Sequence, residues 1–335
     1  MEVINSIGKL PERVTDYFDF DKLDAYHSAE VNTVINGNYW ECVLITEDRD
    51  AFFHVYNKNL IKKTEYFDIE PLFGYAGPIT NSTNQNFINE ALKIYWEHCR
   101  SKKIVAELFR FNPILQNHTF FESTNIETIP SKEIVIVNCY PDSDIQLAEF
   151  NRLGKRYIKN IIDETEILFS ESHPLKDFQR NYELSLKKHN AGKSWYLDDS
   201  FFKRAEFSNH FVLVQVKYRG ELKIQSLIIK SNLAFYHFIT SILEPRIKGL
   251  NDFLILTLSL TAARNNSKYL ILGGGNTALS NDPLLLYKKN FNKTGTTFYI
   301  GKGIYIPEIY NSLCSDYLTL HPEYINSTHF LKYRM

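Results

Sequence analysis

The strongest constraint on what this chain can fold into is an order of elements that occurs twice. The first half reads as hairpin (38–45 and 50–56), strand and open loop (61–79), helix (87–101) and strand (104–111). The second half reads as hairpin (210–217 and 222–229), strand (234–242), open loop (243–249), helix (251–265) and strand (269–272). Even the helix-to-strand steps are alike, Ser101-Lys102-Lys103 and Asn265-Asn266-Ser267-Lys268. Two copies of one α+β unit are more economical than two unrelated domains. A chain of 335 residues has room for both, at roughly 150 residues per domain. Residues 147–169 read as helical and basic in the middle, so the junction is set there, giving domains 1–148 and 149–335. The last residues are able to pack back on the first domain.

Local signals fill in the copies. Phe18, Phe20, Leu23 and Tyr26 suggest an entry helix within residues 1–30. In 87–101, Phe87, Ile88, Ala91, Leu92, Ile94, Tyr95 and Cys99 fall mostly on one helical face, with Asn84 or Asn81 as the cap. Pro113 ends sheet pairing after the strand 104–111. Residues 178–188 read as a helix, and Phe201-Phe202 begin another.

Composition excludes several classes. Lys plus Arg number 38 against 39 Asp plus Glu, so no global field recruits nucleic acid or an acidic membrane, and a polyanion would need a local patch. The four cysteines, Cys42, Cys99, Cys139 and Cys314, are scattered without ligand-spaced partners. They read as reduced thiols, with no metal site. No signal peptide and no membrane-length apolar run stand out, so the expected location is cytoplasmic.

The stretch 269–304 reads as the rim of a site. An apolar strand, 269–272, breaks on Gly273-Gly274-Gly275, a cluster that marks positive φ or close backbone approach. Asp282 followed by Pro283 is a helix start, and Lys288 and Lys289 lie on that helix. They bind a phosphate or carboxylate, or they form a solvated face. The loop 244–251 leads into a helix N-terminus, where unpaired N–H groups and Arg246 suit a pyrophosphate. A plain surface turn explains it equally well. The matching first-half loop, 77–84, holds no basic residue, so a phosphate cofactor belongs to the second half. Tyr75, between Gly74 and Gly77, is a candidate substrate contact. Arg110, at the end of an apolar strand, either snorkels or aims at an anion. His237 is more often a satisfied core residue at such a place than a base.

Taken together, Phe73-Gly74-Tyr75-Ala76-Gly77-Pro78, Arg110-Phe111-Asn112-Pro113, the basic helix 152–159, Leu272-Gly273-Gly274-Gly275, Asp282-Pro283-Leu284 and Tyr287-Lys288-Lys289-Asn290-Phe291 resemble the FemAB-like acyltransferases. That group holds peptidoglycan-bridge aminoacyltransferases and acetyltransferases found with surface-polysaccharide genes. The resemblance covers roughly 66–310. It implies an α+β fold of two tandem GNAT-like domains, each a mixed, largely antiparallel sheet flanked by helices. It also implies that Tyr75, Arg110 and Asn112 line the acceptor cleft, with Lys288 and Lys289 as its far wall. The segment Arg246, Lys248, Gly249 and Asn251 resembles the GNAT pyrophosphate loop, with Asn251 where Gly or Ala is usual. An acidic residue common in the bridge enzymes is replaced by Asn112.

The function expected from this resemblance is N-acylation of an amino group on a nucleotide- or lipid-linked sugar. Acetyl-CoA or another acyl-CoA is the co-substrate, no cofactor is tightly bound, and His237 or Tyr75 handles the proton. No coiled-coil arm and no basic net charge are seen, which favours acyl-CoA over aminoacyl-tRNA. DNA is not expected as a partner, and tRNA only if the chain is an aminoacyl-tRNA-dependent transferase acting on a peptidoglycan precursor. A non-catalytic binding module of the same fold is the third alternative.

Overall fold

The structure, a computed structural model, describes residues 1–19, 23–71, 74–121, 124–171 and 173–335. Phe20 of the expected entry helix, and Phe73 of the glycine-rich motif, lie outside the described residues. In chain order the first elements are β1 (Glu2–Ile7), α1 (Val14–Tyr17), α2 (Ala29–Asn36), β2 (Trp40–Glu47), β3 (Asp50–Leu60), β4 (Phe67–Ile69), β5 (Ile79–Thr80), α3 (Gln85–Ser101), β6 (Ile104–Arg110) and β7 (Glu127–Asn138). Then come α4 (Ser143–Glu149), α5 (Arg152–Ile161), β8 (Thr165–Ser170), α6 (Lys176–Lys188), α7 (Asp199–Ala205), β9 (Phe211–Tyr218), β10 (Glu221–Lys230) and β11 (Ala234–Ile242). The chain ends with α8 (Leu250–Arg264), β12 (Tyr269–Gly274), α9 (Pro283–Lys288), β13 (Thr296–Ile304) and α10 (Pro307–Leu320).

These elements form two compact units, and neither is a continuous stretch. Unit 1 is Met1–Asp19, Asn38–Ser131 and Phe298–Met335, and unit 2 is Phe20–Gly37 with Lys132–Thr297. The division differs from a single break at 148/149 because sheet membership does not follow chain order. In unit 1 the strand order is β1-β2-β3-β4-β6-β13, and in unit 2 it is β8-β9-β10-β11-β12-β7. Each runs through antiparallel neighbours to one parallel pair, β4 with β6 or β11 with β12, then closes on an antiparallel strand. The parallel pair requires a crossover helix, and α3 and α8 supply it. The duplication is therefore real, but its last strand is exchanged: unit 1 is closed by β13 and unit 2 by β7.

Unit 1 is built on the face of α3 read from the sequence. Phe87, Ile88, Ala91, Leu92, Tyr95 and Cys99 are buried, packed with Val43, Ile45, Phe52, Phe109 and Phe111. Asn84 is the cap, its side chain accepting from Asn86 N, while Asn81 Oδ1 accepts from Ala51 N. A polar knot sits inside this core. The Glu107 carboxylate, 1% exposed, is held by His54 Nε2 at 2.7 Å and by the hydroxyls of Tyr95 and Tyr305. It joins β3, α3, β6 and the segment following β13.

In unit 2 the core is α8 against the sheet. Leu250, Leu254, Ile255, Leu256, Leu258 and Ala262 are buried with Val212, Val214, Val216, Leu270 and Leu272. A helix buried on most of its circumference has no polar face to show. Two expectations fail here and at the N-terminus. Residues 2–7 are the strand β1, and 165–170 are the strand β8 rather than the end of a helix. Both are edge strands, paired on one side only, with β2 and with β9. Lacking a fully buried face, they carry no clean alternation of apolar and polar residues.

Candidate functional site

In unit 2 the site begins where a strand pair parts. β11 and β12 pair over Ala234↔Tyr269, Phe235↔Leu270 and Tyr236↔Ile271 only, although β11 continues to Ile242 and β12 to Gly274. A bulge lies at the same point: Leu227 faces Ile239 and Ile228 faces His237, so Phe238 is the extra residue in β11. A second bulge, between Ile271 and Gly273, bends β12. Gly273 has φ +74°, a conformation open to glycine at no steric cost. Gly274 and Gly275 serve close approach. A Cβ on Gly274 would meet the Glu133 carbonyl at 2.8 Å, and one on Gly275 would meet Asp282 Oδ1 at 2.3 Å. All three glycines therefore have the role read from the sequence.

Asp282 fixes the helix beyond. Its Oδ1 accepts from Leu284 N and Leu285 N at 2.9 and 3.1 Å, and its Oδ2 accepts from Thr277 N and Thr277 Oγ1. Burial pushes this carboxyl up, but the hydrogen bonds from Thr277 and the helix start together outweigh it and hold it at about 2.

The capped α9 delivers Lys288 to the parted strands. Lys288 Nζ donates to the Gly274 carbonyl at 2.7 Å, and no carboxylate among the described residues forms an ion pair with it. Burial, with Lys132 nearby, lowers its pKa from 10.5 to about 8. Lys289 differs: it pairs with Glu133 at 2.7 Å. The two lysines, equivalent in sequence, are thus one desolvated amine and one neutralised cation.

His237 lies at the first position beyond the paired stretch, with Thr240 Oγ1 2.8 Å from Nε2. Burial, then the charge of Lys288, lowers its pKa to about 4, so the imidazole is neutral at physiological pH. Thr240 was not foreseen. A plain strand puts positions three apart on opposite faces, and only the bulge at Phe238 changes that parity.

The expected pyrophosphate loop is differently occupied. Gly249, φ +93°, is the N-cap of α8, and a Cβ there would lie 2.9 Å from Tyr157 Cβ and the Tyr157 carbonyl. Helix α5 therefore sits directly over this helix start. Asp252 occupies the first turn, largely buried, with its carboxyl pushed up by that burial. Asn251 Nδ2 donates to the Tyr287 hydroxyl at 2.6 Å. Exposed Arg246 lies 3.4 Å from Glu244 Oε1 and 3.2 Å from His189 Nε2, and Lys248 lies over the Tyr157 ring.

Unit 1 holds the remaining expected residues. The Arg110 guanidinium stacks 5.9 Å from the Tyr75 ring and 5.5 Å from that of Phe298, and its Nε donates to the Gly74 carbonyl. Tyr75 packs edge-on against Phe298. Asn112, 0% exposed, spends its side chain on the backbone: Nδ2 donates to the Tyr75 carbonyl, and Oδ1 accepts from Ile114 N and Leu115 N. Asn117 adds bonds to the carbonyls of Ala76 and Pro78. The resemblance placed Asn112 in an acceptor cleft, but here it braces the loop that carries Tyr75. Within unit 1, a parallel bridge joins Ala76 to Phe111 beyond the pair β4–β6, whereas in unit 2 the pair β11–β12 stays open beyond Tyr236. Among the described residues, no group of side chains could hold a metal ion, and no helix is long and apolar enough to cross a membrane.

Two six-strand runs of the same order, each with a crossover helix linking its parallel pair, make a tandem GNAT fold. Solved structures agree. The chain is similar to the crystal structure of FemX at a TM-score of 0.72 and 11% identity, over 93% of this chain and 99% of that one. It is similar at a TM-score of 0.53 and 9% identity to a tandem GNAT protein from the clavulanic acid biosynthesis pathway, over 91% and 99% of the two chains. L-PGS from Bacillus licheniformis follows at 0.52 and 9%, over 82% and 86%. The sequence matches no family model and no curated protein. The fold is thus like that of FemX and of a tandem GNAT protein, the arrangement that the motifs implied.

Proposed function

We propose that this protein is an N-acyltransferase whose chemistry takes place where β11 and β12 part, with Lys288 as proton acceptor. The observation that carries this reading is a lysine amine held at about 8 beside a sheet opening wide enough to break strand pairing. An acceptor amine attacks the acyl carbon, a C–N bond forms, and the bond from that carbon to the donor's sulfur or oxygen breaks. The proton lost by the attacking nitrogen passes to neutral Lys288, and the departing group takes a proton from solvent. A base is most effective when its pKa lies near the working pH. His237, at about 4, is too weak for an ammonium proton, and its role in this reading is to keep the opening neutral beside Lys288. The acceptor proposed is a nucleotide- or lipid-linked amino sugar, with Lys289 binding it only after release from Glu133.

Acyl-CoA is the first donor proposed, with Arg246, Lys248, Gly249 and Asn251 around its phosphates. A second reading is favoured by one observation. Tyr157 over Gly249, and Asp252 in the first turn, oppose an anion at the start of α8, which suits an aminoacyl ester of tRNA better. Incubating the full chain with an amino-sugar acceptor and either acetyl-CoA or aminoacyl-tRNA separates the two. The rate with the true donor is expected to rise with pH through about 8, and Lys288→Met is expected to lower it by about a thousandfold. Consumption of neither donor would sink the enzyme reading and leave a binding module.

A further inference from the structure

We propose that the outward face of α5 is a docking surface for an anionic lipid bilayer. Arg152, Lys155, Arg156 and Lys159 stand at spacings i, i+3, i+4 and i+7 on this helix. At about 100° per residue they occupy one stripe, roughly 10 Å long. Three are exposed and Lys155 is half-exposed. None of them forms an ion pair among the described residues, and Lys155 makes only a hydrogen bond to the Ala148 carbonyl. Several other cations of this unit are matched, among them Lys188 with Glu244, Arg219 with Glu164 and Lys230 with Glu171. Four adjacent unmatched cations on a chain of net charge −1 repel one another, and an anionic partner removes that cost.

The opposite face of α5 holds the helix rigidly. Gly154, Ile158 and Ile161 are buried, the cap residue Asn151 accepts from Gly154 N, and its Nδ2 donates to Asn290 Oδ1 at 2.6 Å. A fixed cationic stripe is therefore presented outward.

A bilayer suits this stripe better than a nucleic acid does. Leu153, 51% exposed, stands on its shoulder, where an interfacial apolar side chain enters the headgroup boundary. A single strand needs exposed aromatic stacking platforms, and the stripe holds none. A short straight row of basic side chains is enough for reversible attraction to an anionic leaflet. The inference goes beyond the acyl-transfer reading and stands whichever donor is used.

The test is co-sedimentation of the full chain with vesicles of phosphatidylglycerol and phosphatidylcholine, and with phosphatidylcholine alone, at low and high salt. Binding to the anionic vesicles only, weakened by salt, is expected. Arg156→Glu with Lys159→Glu should lower the partition coefficient at least about tenfold, and Leu153→Asn should lower it without changing the salt dependence. Reversal of Lys62 and Lys63, exposed elsewhere, should leave it unchanged. Circular dichroism of each variant is read first, and Lys159→Gln replaces the double reversal if that one fails to fold. Equal binding by the stripe variants and the native chain overturns the proposal. So does a stripe-dependent shift with unfractionated tRNA while anionic vesicles stay unbound.

Discussion

A lysine amine held at about 8 and an imidazole held at about 4 store their cost in the same direction. Both groups bind protons more readily in the unfolded chain, where their values return to about 10.4 and 6.5. Stability therefore rises with pH across each window, from about 4 to 6.5 for His237 and from about 8 to 10.4 for Lys288, and falls as pH drops through them. Urea titrations between pH 4 and 10 are expected to show both rises. His237→Gln should flatten the lower one, and Lys288→Met the upper. A curve for His237→Gln that keeps its acid slope would mean that the imidazole is not desolvated where β11 bends. The asymmetry between Lys288 and Lys289 is itself a residue-scale result. Their neighbours decide it, a carbonyl for one and Glu133 for the other, and adjacent letters in a sequence cannot distinguish them.

Among the elements, the knot at Glu107 shows how unit 1 is tied. One carboxylate receives a histidine and two tyrosine hydroxyls from elements far apart in the chain. Removing it leaves three buried polar groups without their acceptor. Glu107→Ala is expected to destabilise the protein by about 3–5 kcal/mol, a large part of the roughly 5–15 kcal/mol typical of a folded domain. Glu107→Gln should cost less, since its amide oxygen still accepts from a tyrosine. Denaturant unfolding measures both, and a loss under about 1 kcal/mol for Glu107→Ala would show that the knot contributes little. Elements of this kind differ in how far the sequence announces them. The apolar face of α3, the hairpins and the Asp282 cap were legible because burial and capping write a period or a dipeptide into the chain. β1 and β8 were not, because an edge strand is specified by its partner rather than by its own faces. Thr240 was hidden by the bulge at Phe238, and the covering of Gly249 by Tyr157 joins residues that no local pattern connects.

For the whole molecule, the repeat was legible and the exchange was not. Strand propensity marks β7 and β13 as strands but holds no mark of which sheet each one completes. The exchange makes a cut at the apparent junction harmful. A fragment of residues 1–148 lacks β13 and Tyr305, and is expected to show no cooperative unfolding transition by circular dichroism. Adding a separate 149–335 chain should restore structure in both. A fragment 1–148 that unfolds cooperatively by itself would show that unit 1 does not depend on the exchanged strand.

The exchanged strand also sets an order of events during synthesis. Residues of unit 1 leave the ribosome first, yet the sheet they belong to gains its last strand only from Phe298–Met335. Unit 2 ends at Thr297 and has all its strands by then. The half that is begun first is therefore the half that is finished last, and its edge at β6 stays open until β13 has been made.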